Sequence, residues 1–209
     1  MNIFVYCNQL EYYKPLNQKE MKKINLLLAV LLTSSTLFAQ TKWNVDKAHA
    51  KVGFTVTHMM ISDVDGNFKS FDASITASKA DFSDAVFDLS IDAASISTDN
   101  DMRDGDLKGE HYFDVAKYPK ITFKSTSISK VDDKTFKLTG NLTMHGVTKS
   151  IVLDLTLKGM GKNMRTQKPV AGFKVSGTID RTDFGVGTAP AAMVSTKIEL
   201  RANGEFGQE

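Results

Sequence analysis

The chain has 209 residues, 42% of them hydrophobic and 24% charged, with a formal net charge of +2 at neutral pH. That length accommodates one domain with a core large enough to fold without staples, and a single cysteine, Cys7, excludes an internal disulfide framework. The near-balanced charge argues against nucleic acid as a partner, because proteins that bind phosphate backbones carry a basic excess.

Residues 1–20 have no targeting logic and precede a well-placed start at Met21, so they read as an upstream extension. Met21-Lys22-Lys23 opens a basic region, Ile24 to Leu32 is almost wholly apolar, and Leu37-Phe38-Ala39 ends a stretch of small residues. This succession reads as a secretory signal over residues 21–39, cleaved near Ala39. The apolar run is shorter than the roughly twenty residues of a membrane span. Loss of residues 1–39 removes Lys14, Lys19, Lys22, Lys23, Glu11, Glu20 and Cys7, which leaves residues 40–209 formally neutral and free of thiols. Thiolate catalysis and cysteine-ligated metal are excluded with that segment, and a periplasmic or secreted location is expected.

From Trp43 onward, apolar and polar residues alternate strand by strand, the mark of a sheet with one dry face. The segment from Trp43 to His58 comes first, with Val52, Phe54 and Val56 on one side. Phe71, Ala73, Ile75 and Ala77 follow, then Ala85, Phe87, Leu89, Ile91 and Ala93, then Ile121 and Phe123. The later strands run through Phe136 to Met144, Ile151 to Leu157, Phe173 to Ile179 and Val194 to Ala202, about eight strands in all. Turn signals separate them: Asp132-Asp133, His145-Gly146 and the loop from Gly159 to Pro169. Short hairpin links imply antiparallel neighbours. One dry face per strand means two packed sheets or one closed barrel, and strands longer than the usual 5–6 residues suit a tilted barrel. An eight-stranded barrel is just wide enough to be filled by its own side chains or to hold one slender ligand. Small inward residues such as Ala73, Ala77, Ala85, Ala93, Gly140, Gly177 and Ala202 fit a cavity, and they fit equally a solid core in which they face bulky partners.

Asp101 to Phe123 breaks the alternation with charges, aromatics and Pro119, and reads as a loop or short helix at the barrel mouth. Asp46, His49 and His58 flank the first strand, but His49 and His58 would lie roughly 30 Å apart on one straight strand and could not share a metal there. No G-x-S-x-G elbow, H-E-x-x-H pair or phosphate-cradling glycine loop occurs. No catalytic residue, metal ligand or cofactor is therefore expected.

Four stretches, in this order and spacing, resemble the YceI-like family of exported proteins: W-N-V-D-K-A-H-A-K-V-G-F-T-V-T-H from Trp43 to His58, M-R-D-G-D-L with F-D-V-A-K-Y-P-K-I-T-F, G-N-L-T-M-H-G-V-T-K from Gly140 to Lys149, and I-D-R-T-D-F-G from Ile179 to Gly185. The resemblance implies an all-β fold, an extended eight-stranded antiparallel lipocalin-like β-barrel with a short helix or loop insert, binding a polyisoprenoid lipid such as a quinone-like or prenyl chain. Where that family has R-D-x-H-L, this chain has Arg103-Asp104-Gly105-Asp106-Leu107, so an imidazole is replaced by a carboxylate.

The expected tunnel wall is formed by Phe54, Val56, Phe71, Ile75, Phe87 and Leu89, with Ile91, Phe123, Leu153, Leu155, Phe173 and Val175. Arg103 or His111 would donate to the lipid head, with Asp104 orienting the donor. The structural alternative is an ion pair between Arg103 and Asp104 that pins the insert to the rim. Arg181, Asp183 and Phe184 read as a loop return, and His145 as a turn residue. The functional rivals are a solid-core barrel that recognises a protein partner and, third, an enzyme acting on a bound lipid. An encounter with a membrane or membrane protein and a homodimer are both compatible with the pattern and required by nothing in it.

Overall fold

In the computed structural model the dry faces of the strands turn inward around one closed sheet. The structure describes residues 40–209 and residue 17, and the expected start site and signal at residues 21–39 lie outside the described residues. β1 (Thr41–Val45) and β2 (Lys51–His58) are two halves of one bent strand. β3 (Ser62–Phe68) and β4 (Phe71–Ala77) form a second, and β5 (Val86–Asp92) and β6 (Ile96–Ser97) a third. The helix α1 (Asp101–Lys108) follows, then β7 (Lys120–Lys130), β8 (Thr135–Met144), β9 (Val147–Lys162), β10 (Pro169–Asp180) and β11 (Val194–Gln208).

Every pairing is antiparallel. β11 lies against β10 on one edge and against both β1 and β2 on the other, which closes the barrel. With the bent strands counted once, the wall has the expected eight members. The alternation counts Trp43 to His58 as one strand and does not mark Ser62 to Phe68. The structure bends the first at Asp46–His49 and makes the second the upper half of a wall strand, whose alternation is thinned by Gly66 and three exposed polar residues, Asp63, Asp65 and Asn67.

The bend has a local cause. Asp46 caps a one-turn 3-10 helix, Lys47–His49: its carboxylate accepts from the Ala48 amide (3.0 Å) and lies 2.9 Å from His49 Nδ1. β1 can then follow the C-terminal end of β11 while β2 follows the rest.

One barrel end is plugged by the β4–β5 connection. Phe82 is 1% exposed and packs edge-on against Trp43 and Phe173, with ring centroids 5.2 and 5.0 Å away. Its φ of 58° is unusual for a phenylalanine. The Asp84 carboxylate holds the connection in place, accepting from the amides of Ser78 and Lys79 and from the Ser78 hydroxyl.

Most of the small inward residues sit in packed surroundings. A Cβ at Gly140 would come within 2.4 Å of the Phe123 ring and 2.6 Å of the Lys124 carbonyl oxygen. Gly140→Ala is therefore expected to destabilise the barrel by about 1–3 kcal/mol through overpacking, measured as a lowered midpoint in urea unfolding. An unchanged midpoint would mean that Phe123 can move aside at no cost.

Candidate functional site

Above the Phe82 plug, the inward faces enclose an elongated space of ≈ 1540 Å³, counting the part open to solvent. The part of it with room for a ligand is ≈ 230 Å³, less than the ~300–1,000 Å³ of ordinary small-molecule pockets, which suits a slender occupant. Its wall is apolar almost throughout. Ten of the expected tunnel residues line it: Phe54, Val56, Phe71, Phe87, Leu89, Ile91, Phe123, Leu153, Phe173 and Val175. Ile75 and Leu155 also face inward, but below the cavity. Ile75 is paired with Trp43 and Leu155 with Phe136, and both are fully buried in the plugged end. Of the small residues that favoured a cavity, only Ala73 and Ala202 line it. Ala77, Ala85 and Ala93 are packed into the core, and Leu153 occupies the space beside Gly177.

The sequence reading missed two sets of lining residues. Val52, Ile121, Leu142, Ile198 and Leu200 obey the same alternation as the residues it chose and could have been included on that signal. Leu107, Tyr112, Phe113 and Val186 obey none, because they lie in the insert and the β10–β11 connection, which fold over the second end as a ceiling.

Arg103, Asp104 and His111 lie outside the cavity wall. Asp104 is buried, and its carboxylate accepts from the Thr98 amide (2.8 Å) and hydroxyl (2.6 Å). Arg103 donates from Nε to the same hydroxyl (2.7 Å) and from Nη2 to the Thr98 carbonyl (2.9 Å). The two charges therefore grip Thr98 between them, and this anchors α1 to the end of β6. Burial pushes the Asp104 carboxyl up, but the Thr98 hydroxyl and amide, with Lys108 and Arg103 nearby, outweigh it and hold the group below its usual range. His111 is exposed on the loop beyond α1, and Asp106 is exposed on the helix.

Arg181 does the heaviest polar work at the ceiling. It is 4% exposed, and its five N–H donors all reach backbone carbonyls: Ser195 from Nε, Val186 and Gly187 from Nη1, and Ala189 and Val194 from Nη2, at 2.6–3.1 Å. Two of those carbonyls come from the irregular start of β11, where a four-residue step, from Val194 to Ile198, spans the two-residue step from His58 to Val56 on β2. The expected loop return is thus built from one cation and five carbonyl dipoles. Beside it, His145 turns between β8 and β9, its ring 4.6 Å from that of Tyr118 and its Nδ1 3.3 Å from the Phe184 carbonyl oxygen. Three of the four motif stretches, those containing Tyr118, His145 and Arg181 to Gly185, therefore meet at this end of the barrel.

One group among the described residues could offer three ligand atoms to a cation: Asp46, His49 and Glu205, whose atoms lie within 4.8 Å of one another. It is solvent-facing, and its internal bond already serves the bend. The Asp46 hydrogen bond holds His49 above its usual pKa, and His49 in turn holds Asp46 below its own. His58 is not part of it.

The family model for the YceI-like domain matches residues 43–206. The chain belongs to this family. Protein YceI of Salmonella newport is 37% identical over 185 residues, 86% of this chain and 95% of that protein. The crystal structure of Burkholderia cenocepacia BcnA superposes with a TM-score of 0.70 at 25% identity, covering 77% of this chain and 98% of that one. A polyisoprenoid binding domain from Saccharophagus degradans, implicated in plant cell wall breakdown, shares the fold at 16% identity and a TM-score of 0.59, over 80% of this chain and 98% of that one. In this YceI-like chain the family's motifs thus build the bend and the ceiling, and the alternating apolar residues build the cavity.

The ceiling carries a titration signature. Asp180 caps the turn that begins at Arg181, and the Thr182 hydroxyl, against the opposing effect of burial and with help from the Thr182 amide, Thr196 and Lys197, holds its carboxyl at about 2 instead of 3.8. A carboxyl depressed on folding stabilises the protein fully above its unfolded pKa, and that stability is lost as pH falls through the folded value. The contribution, about 2 kcal/mol, should therefore disappear between about pH 4 and pH 2. Thermal melts of the protein and of Asp180→Asn across that window should converge as the pH falls, and a constant gap between them would exclude this carboxyl as the source.

Proposed function

We propose that the protein holds a polyisoprenoid lipid, a quinone-like or prenyl chain, with its tail in the barrel cavity, and that it does so outside the cytoplasm after export through residues 21–39. The observation that carries this reading is the composition of the cavity wall. An apolar space between a plug at one end and a ceiling at the other, with part of its volume open to solvent, suits a hydrocarbon chain. Each buried carbon contributes about 0.8 kcal/mol, so retention grows with chain length and depends little on the head. The wall agrees with this, because among the described residues no buried side-chain nitrogen or oxygen is left without a partner. Arg103, Asp104 and Arg181 are all committed to protein groups. We assign the head-group contact to the phenol of Tyr112, half-buried in the ceiling against Gly187 and without a hydrogen-bond partner among the described residues. The polyisoprenoid binding domain of the same fold supports the ligand class. The role is storage, shielding or transport, and none of these requires catalysis. A solid-core barrel that recognises only a protein partner would have no use for such a cavity.

The test is the lipid that purifies with the protein in the absence of detergent, extracted into organic solvent and identified by mass spectrometry. Near-stoichiometric isoprenoid is expected with the protein. Ala202→Trp, which fills the wall, should reduce it severalfold. Tyr112→Phe should keep the chain but weaken the preference for quinone over headless prenyl lipid. Asp88→Ala, on the outer face where Asp88 pairs with Lys124, should change nothing. Equal occupancy in all of these proteins would sink the assignment of the cavity.

A further inference from the structure

The β2–β3 hairpin turns through Met59 and Met60, with φ of 51° and 61°, closed by a hydrogen bond from the Ile61 amide to the His58 carbonyl (3.1 Å). Two successive residues at positive φ are the type I′ pattern, which strongly favours Asn-Gly because side chains beyond Cβ are strained there. This chain places two methionines in the turn and an isoleucine after it. Their side chains enter solvent instead of the core: Met59 is 55% exposed, Met60 78% and Ile61 84%. Met193, 54% exposed, joins them through a hydrogen bond from the Met59 amide to its carbonyl oxygen (2.8 Å). The tip therefore goes against both turn preference and solubility. A feature that local physics disfavours twice needs a counterpart that it satisfies.

Its place in the fold names that counterpart. The tip stands at the ceiling end of the barrel, at the end of β2, which carries Val56 into the cavity wall, and beside the start of β11, where His58 pairs with Val194, a lining residue directly after Met193. Exposed apolar surface thus runs from the tip to the cavity through adjacent residues. The patch is a convex hairpin end of four side chains, well short of the ~800 Å² per partner of a stable protein interface. Its shape and its long, flexible methionines suit shallow insertion between lipid headgroups. We propose that this tip docks the barrel on a bilayer surface so that an isoprenoid chain passes between membrane and cavity without crossing water. The inference rests on the lipid-binding reading above and adds the surface at which loading occurs.

The experiment compares the protein with Met59→Asn/Met60→Gly/Ile61→Ser. This change gives the turn its favoured residues, so the variant is expected to melt at the same or a higher temperature. Both proteins are offered an isoprenoid quinone in detergent micelles and, separately, in phosphatidylcholine vesicles, and flotation with lipid-only vesicles is measured alongside. Equal uptake from micelles is expected, with uptake from vesicles slowed about tenfold or more and flotation lost in the variant, in keeping with removal of buried apolar side chains. Raised salt should leave the native protein's flotation almost unchanged, because the contact is apolar. A variant that floats and loads from vesicles as fast as the native protein would overturn the docking proposal, as would a native protein that never floats. Failure of both proteins to take up quinone from micelles would instead remove the lipid-binding reading. Flotation would then decide docking alone, with tip-dependent flotation supporting it and tip-independent or absent flotation overturning it.

Discussion

Closure of the barrel depends on β11 finding partners along both of its edges. β10 supplies one edge in an unbroken register from Val170 to Asp180. The other is covered by β1 and β2 together, β1 along Phe206 to Gln208 and β2 along Val194 to Asn203. The capped turn at Asp46–His49 bends the chain between them. With the ring closed, this junction has no unpaired edge, and inward side chains meet from all sides. Eight strands can be filled by their own side chains or leave room for one slender ligand, and here the aromatic cluster fills one end and leaves the space above it open.

The two ends are closed by different physics. At the Phe82 end, closure is apolar: a single loop inserts a ring into a cluster of Trp43, Phe173 and Phe206. At the other end it is polar, with Arg181 gathering five carbonyls and with Asp104 and Arg103 sharing Thr98. A buried guanidinium without a carboxylate is tolerable only when every donor is satisfied, and the irregular start of β11 exposes carbonyls that make this so. Because the polar groups are spent on the ceiling itself, the space beneath it keeps an apolar wall. That division of labour fits a site that recognises a chain and gives little weight to its head.

The strand pattern was legible because burial on one face of a sheet imposes a period of two on the sequence, and Phe54, Phe87, Phe123 and Phe173 could be assigned to the interior on that ground. Ser62 to Phe68 escaped because Gly66 gives no apolar signal, although the Phe54 ring covers it. The small inward residues could be read two ways. Gly140 and Gly177 proved to be filled by their neighbours, while Ala73 and Ala202 face the cavity. Arg103 and Asp104 stood out as charges in an insert, and their shared partner, Thr98, lies just before that insert and carries no sequence mark.

By itself, the sequence determined the all-β class, the number of wall strands, the family and most of the inward faces, because alternation and turn chemistry act between residues close along the chain. The tertiary structure alone decided which inward residues line space and which plug an end. It also decided that the insert and the Arg181 loop form a ceiling, and that the Met59–Met60 tip stands beside the cavity wall. Those facts depend on contacts between residues far apart in the chain, and side chains of the same character line the cavity or fill the plug according to what stands across the barrel from them.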